Sequence, residues 1–106
     1  MSRSYHPNIT ERSIVNTILK YLNSLPECYA IKTHGGQYRG GQPDIMGSFQ
    51  GRFLALEVKR PGGKPTKLQM EILKKWAAAG AIAGVVYSVD EVQKLIREAV
   101  SNGSST

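Results

Sequence analysis

Phe53-Leu54-Ala55-Leu56-Glu57-Val58-Lys59 alternates as a strand does, and it ends by setting an acid and a lysine into an apolar run. With a period of two, Phe53, Ala55, Glu57 and Lys59 share one face, and Leu54, Leu56 and Val58 share the other. Opposite charges therefore sit side by side at the end of a strand that is otherwise buried. Such charges are costly unless they are paired or bound to a metal. Asp44, which follows Pro43 and precedes Glu57 with twelve residues between, is the nearest candidate partner in sequence.

Upstream of this strand, Pro43 to Phe49 reads as a second one, joined to it through Gln50-Gly51 as a hairpin. Cys28 to Thr33 is a third. A loop with four glycines in eight residues, Gly35 to Gln42, lies before Pro43. A helix is expected from about Ile9 to Leu22 on the stripe Ile14, Val15, Ile18, Leu19, Leu22, ended by Leu25-Pro26.

Downstream, Arg60 to Pro65 is a loop, and Thr66-x-x-Gln69 opens a helix that Gly80 ends. Its stripe is Leu68, Ile72, Leu73 and Trp76. Ala81 to Tyr87 is a continuous small-apolar strand, expected to be central and covered on both faces. Ser88-x-x-Glu91 opens a last helix to about Val100, with Val92, Leu95, Ile96 and Ala99 inward, and 101–106 reads as a polar tail. The order is α-β-β-β-α-β-α, an α/β fold with a mixed sheet flanked by helices. Residues 8–100 form one domain after a loose lead-in over 1–7.

Composition narrows the partners. Fourteen basic residues against eight acidic give a formal charge of +6, a balance suited to a polyanion. Between Lys59 and Lys75, six basic residues (Lys59, Arg60, Lys64, Lys67, Lys74, Lys75) are opposed by Glu71 alone. One cysteine, Cys28, excludes an internal disulfide and a cysteine-based zinc site. No apolar run approaches the ~20 residues of a membrane span, and the polar start does not read as a signal peptide. An intracellular, cytoplasmic protein is expected.

Two helix residues bear on the acid–lysine pair. Glu11 falls on the inward side of the first helix, yet Asn8 and Glu11 also read as an Asn-x-x-Glu cap. Gln69 falls near Leu73 and Trp76 on the inward stripe, yet it is also the natural partner of Thr66. Singly, Asp44 reads as a turn residue and Glu57–Lys59 as a minor ion pair. Together the five converge on one end of the sheet. Asp44, Glu57 and Glu11 would supply oxygen ligands, suited to Mg²⁺ or Mn²⁺ rather than zinc. A hard cation there activates water and neutralises a phosphate, Lys59 faces the attacking water or a phosphoryl oxygen, and the basic cluster holds the backbone. Arg39 in the glycine loop, with Arg60, Lys64 and Lys67, is the candidate nucleic-acid contact set. No glycine-rich loop precedes a Lys-Ser/Thr, so no nucleotide cofactor is expected. His6, His34, Tyr38 and Cys28 carry weaker signals.

Glu11, Gly41-Gln42-Pro43-Asp44, Glu57-Val58-Lys59 and Gln69 resemble the PD-(D/E)XK nuclease core, and more closely its VRR-NUC (virus-type replication–repair nuclease) group. The likeness runs from Glu11 to about Ile96. It implies a restriction-endonuclease-like fold. It further implies metal ligation by Asp44, Glu57 and the Val58 carbonyl with Glu11 nearby, Lys59 as catalytic lysine and Gln69 in support. Standalone members of this size are similar to phage-encoded nucleases and to archaeal-type Holliday-junction resolvases, which act as homodimers. The implied function is a metal-dependent DNA endonuclease acting on structured or branched DNA. A nucleic-acid-binding module that does not cut, and a nuclease acting on RNA, are the alternatives.

Overall fold

A computed structural model describes residues 9–33 and 40–103. In chain order the elements are α1 (Glu11–Leu22), β1 (Cys28–Lys32), β2 (Ile45–Phe49), β3 (Arg52–Val58), α2 (Lys67–Ala78), β4 (Ile82–Val86) and α3 (Val89–Gly103). This is the expected α-β-β-β-α-β-α order, with a mixed sheet in the order β1-β2-β3-β4. β1–β2 and β2–β3 are antiparallel, while β3–β4 is parallel. The parallel pair needs a crossover, and α2 is that crossover.

The two faces of β3 go to different layers. Leu54, Leu56 and Val58 are fully buried and join Ile14, Val15, Ile18 and Leu22 of α1 with Val92 and Ile96 of α3. The other face belongs to α2, whose Trp76 stacks on Phe53 at a ring separation of 4.6 Å. Covering both faces explains why β3 is apolar from Phe53 to Leu56 and again at Val58.

Local devices set the register. Gln50 (φ 49°) and Gly51 (φ 84°) both lie in the left-handed region, as a two-residue type I′ hairpin requires. Gly47, opposite Ala30, lets the two strands close. A Cβ there would lie 2.2 Å from the Tyr29 carbonyl and 2.6 Å from Ala30 Cα. Arg52 donates to the carbonyls of Gly80 and Ala99, so a cation ties the start of β3 to the C-terminal turns of α2 and α3.

Four expectations change. The first cap is not Asn8–Glu11. Thr10 is the N-cap, in a reciprocal box with Ser13, and Glu11 is the first helical residue. Thr10's hydroxyl takes the Ser13 N–H at 3.0 Å, work that a hydroxyl three residues from the helix's third position does as well as an amide. α1 ends at Leu22 as expected, but Asn23 rather than Leu25-Pro26 closes it and then bonds both the N–H and the C=O of Ala30. β4 is an edge strand of the described sheet rather than a central one. Its apolar run reflects cover on its two faces by α2 and α3, which says nothing of its neighbours in the plane. α3 continues through Ser101 and Asn102 to Gly103, since no stop signal precedes that glycine. Among the described residues no helix is long and apolar enough to cross a membrane.

Gly47→Ala should force β1 from β2 and cost about 2 kcal/mol or more. Urea denaturation monitored by circular dichroism measures this. Wild-type stability for the variant would refute the close approach.

Candidate active site

The β2–β3 register brings the carboxylates together. Ile45 pairs with Leu56, so one further step sets Asp44 across from Glu57, on the α2 face of the sheet. Pro43, which has no N–H, stops the ladder there. Thr33 fixes the exit: its N–H donates to the Asp44 carbonyl at 2.9 Å and its hydroxyl donates to the Pro43 carbonyl. Asp44 Oδ2 then accepts the Val58 N–H at 2.8 Å. A strand residue turns its N–H and C=O to the same neighbour. The Val58 carbonyl therefore faces the Asp44 side, whereas the next N–H, that of Lys59, goes to Val86 of β4 at 3.1 Å.

Glu57 is 2% exposed, the one charged residue of the described core. Its Oε2 accepts from Gln69 Nε2 at 2.9 Å and lies 3.6 Å from Lys59 Nζ. Its Oε1 is buried with no partner. Gln69 therefore has both of the roles that its position offered. Its Oε1 accepts the Thr66 N–H at 2.8 Å in the capping box, and its amide nitrogen is left for Glu57. A backbone N–H can only donate, so the cap fixes which end of the amide faces the carboxylate.

Burial, with the Asp44 charge beside it, pushes the Glu57 carboxyl from its ordinary 4.5 up to about 8, and the Lys59 ammonium opposes this without prevailing. Without a cation the carboxyl thus keeps a proton at neutral pH. The orphaned Oε1 and the neighbouring Asp44, with the Val58 carbonyl on the same side, form an all-oxygen donor set that fits a hard divalent cation. Among the described residues, no three of His, Cys, Asp and Glu converge as a metal site. Glu11 accordingly is not brought to the two carboxylates. It is half-buried in the first turn of α1, and its carboxylate forms no hydrogen bond or ion pair with the described residues.

The basic candidates rim this end of the sheet. Arg60 and Lys64 are exposed on the loop after β3, and Lys67 is exposed at the start of α2. Arg39, with Tyr38 and His34, lies outside the described residues. Thr33 and Tyr87, which hold the site's backbone, carried no signal in the sequence. Their bonds reach ten positions and 24 positions along the chain and depend on tertiary register.

No family model matches the chain, and no curated protein does. Solved structures do. One, described as a VRR_NUC domain, aligns with a TM-score of 0.67 at 26% identity, covering 82% of this chain and 94% of its own. The chain has the VRR_NUC-domain fold. A second structure, a VRR_NUC domain protein, aligns at 0.68 with 18% identity over 88% and 89%. The chain is thus similar to VRR_NUC domains over nearly all of their length. In this VRR_NUC fold the acid pair stands where β2 and β3 part company.

Two measurements probe the pair. A raised folded pKa for an acid means that stability is lost as pH rises from about 4.5 towards about 8, by at most about 1.4 kcal/mol per pH unit. In EDTA, wild type should lose melting temperature across that window and Glu57→Gln should not. Mn²⁺ at about a hundred times its dissociation constant should restore roughly 2.7 kcal/mol at the alkaline end. Parallel slopes for the two proteins would remove Glu57 as the cause. Gln69→Glu separates cap from site, since Glu also caps at this position. Unchanged stability at pH 8 in EDTA would leave Gln69 a cap alone. A loss of about 1 kcal/mol or more is expected from the second carboxylate against Glu57.

Proposed function

We propose that the protein is a divalent-cation-dependent nuclease that hydrolyses phosphodiester bonds in DNA, with structured or branched DNA as its substrate. The observation that carries this reading is the buried, unpartnered Oε1 of Glu57 beside Asp44, with Lys59 and Gln69 on the other oxygen. The likeness to VRR_NUC domains supports nuclease activity in general.

Asp44, Glu57 and the Val58 carbonyl would hold Mg²⁺ or Mn²⁺, which when bound supplies an activated water and neutralises phosphate charge. The chain's own groups have separate tasks. Gln69 keeps Glu57 Oε2 occupied, so Oε1 stays free. The Val58 N–H holds Asp44 in one orientation. Lys59, its side chain 13% exposed, presents an ammonium to the phosphoryl oxygen on which charge develops, in surroundings poor in water. Arg60, Lys64, Lys67 and Arg39 contact the flanking backbone and position it without reading sequence. Glu11, which is not brought to the two carboxylates, takes no part in holding the cation. Two copies acting as a homodimer would place two such centres for paired cuts across a junction.

Purified protein incubated with supercoiled plasmid, single strands, a four-way junction and RNA, in Mg²⁺, Mn²⁺ or EDTA, tests the proposal. Cleavage of DNA is expected only with a divalent cation, with the junction preferred. Glu57→Ala and Lys59→Ala should each lower the rate by about a hundredfold or more. Variants as active as wild type would sink the site, and tight binding without cutting in every metal would leave a binding module. Cleavage of RNA in preference would reassign the substrate. Analytical ultracentrifugation tests the dimer.

A further inference from the structure

The loop after β3 folds back on Lys59. Gly63 N–H donates to the Arg60 carbonyl at 2.8 Å, closing a turn with Pro61 and Gly62 at its centre. Gly62 has φ 86°, which suits a type II turn with proline before it. The turn passes near the lysine: a Cβ added at Gly63 would reach 3.6 Å from Lys59 Cβ, a contact that glycine itself leaves open. One side-chain bond holds this turn down. The Tyr87 hydroxyl donates to the Gly63 carbonyl at 2.9 Å across 24 positions of sequence.

The base of Tyr87 is itself fixed. Its N–H donates to Glu91 Oε1 at 2.9 Å, at the entrance to α3. Its neighbour Val86 accepts the Lys59 N–H. The bonds thus close a ring, from the Lys59 N–H through Val86 and Tyr87 to Gly63, and from the Gly63 N–H to the carbonyl of Arg60, the residue after Lys59. The long stem of a lysine is costly to order, and a backbone fixed on both sides of Lys59 leaves it fewer arrangements to lose. Arg60 and Lys64 flank the same turn, so whatever holds the turn also sets where their charges stand.

We propose that Tyr87 is a positioning residue, whose hydroxyl holds the Arg60–Gly63 turn against Lys59 so that Lys59, Arg60 and Lys64 present one ordered phosphate-binding edge. The inference rests on the nuclease reading for its ligand, nucleic-acid phosphate. Tyr87→Phe removes the bond and keeps the ring.

The test is fluorescence anisotropy of labelled duplex and four-way-junction DNA, in a Glu57→Gln background where nothing is cut, from about 50 to about 200 mM salt. Tyr87→Phe should raise the dissociation constant about three- to tenfold and flatten the slope of log affinity against log salt by about one. A packing defect alone would lower melting temperature and leave that slope unmoved. Gly62→Ala, which strains the same turn from its other side, should weaken binding similarly. The double variant should then be no weaker than the weaker single one, because both release one element. Multiplying effects, or binding and slope equal to the parent for Tyr87→Phe, would overturn the proposal. The nuclease reading fails separately: wild type that cuts nothing in any divalent cation would sink it, while the binding comparison would still report on the turn.

Discussion

Placing a carboxyl group between β3 and α2 is the constraint that organises this molecule. Glu57 occupies the same strand face as Phe53 and Ala55, so the helix that buries it must also meet those residues. Phe53 receives Trp76, the small Ala55 leaves room for the helix, and Gln69 reaches Glu57 from the first turn of α2. The apolar end of this seam supplies the packing energy, and the polar end spends part of it. An unpaired carboxylate oxygen in such a layer is among the more expensive groups a small domain carries. The raised pKa of Glu57 is that cost expressed as a proton affinity.

Much of this was legible along the chain, and the reasons differ from place to place. Period-two alternation separated the two faces of β3 correctly, because a strand has no freedom to do otherwise. Gln50-Gly51 announced the hairpin, and Thr66-x-x-Gln69 announced a helix start, since both are local chemistry. The central placement of β4 failed because an apolar run reports burial of faces, and a strand flanked above and below by α2 and α3 shows the same run at an edge. The first cap was misplaced because hydroxyls and amides compete for the same N–H groups within a few residues. Gln69 posed a choice between cap and site that the structure dissolves: an amide has two ends, and each is used. The bond from Val58 N–H to Asp44 and the reach of Tyr87 to Gly63 follow from strand register, which no local pattern encodes.

The site is built almost wholly from devices that also build the fold. A capping box orients Gln69, a strand exit held by Thr33 aims Asp44, and a parallel ladder bond fixes the Lys59 backbone. Positioning by secondary-structure termini is stiff, because each of these bonds satisfies a main-chain group that would otherwise be left unpaired. A loop-borne site of the same composition would have to order its side chains at the moment of binding.

The charges around this frame make opposite demands. A rim of Arg60, Lys64 and Lys67 on a chain of net charge +6 attracts phosphate, whereas Asp44 behind it, and Glu57 once ionised, repel phosphate and each other. A surface meant only to bind nucleic acid would gain affinity if both acids were replaced by their amides, which keep the shape and could still meet Gln69. The acid pair becomes favourable when something positive lies between it and the phosphate. A divalent cation held there would do this and would favour the ionised form of Glu57, so the two electrostatic costs would fall together. Phosphate, cation and paired acids would therefore be favourable as a set and unfavourable with the cation missing, which is the electrostatic logic of the proposed phosphodiester hydrolysis.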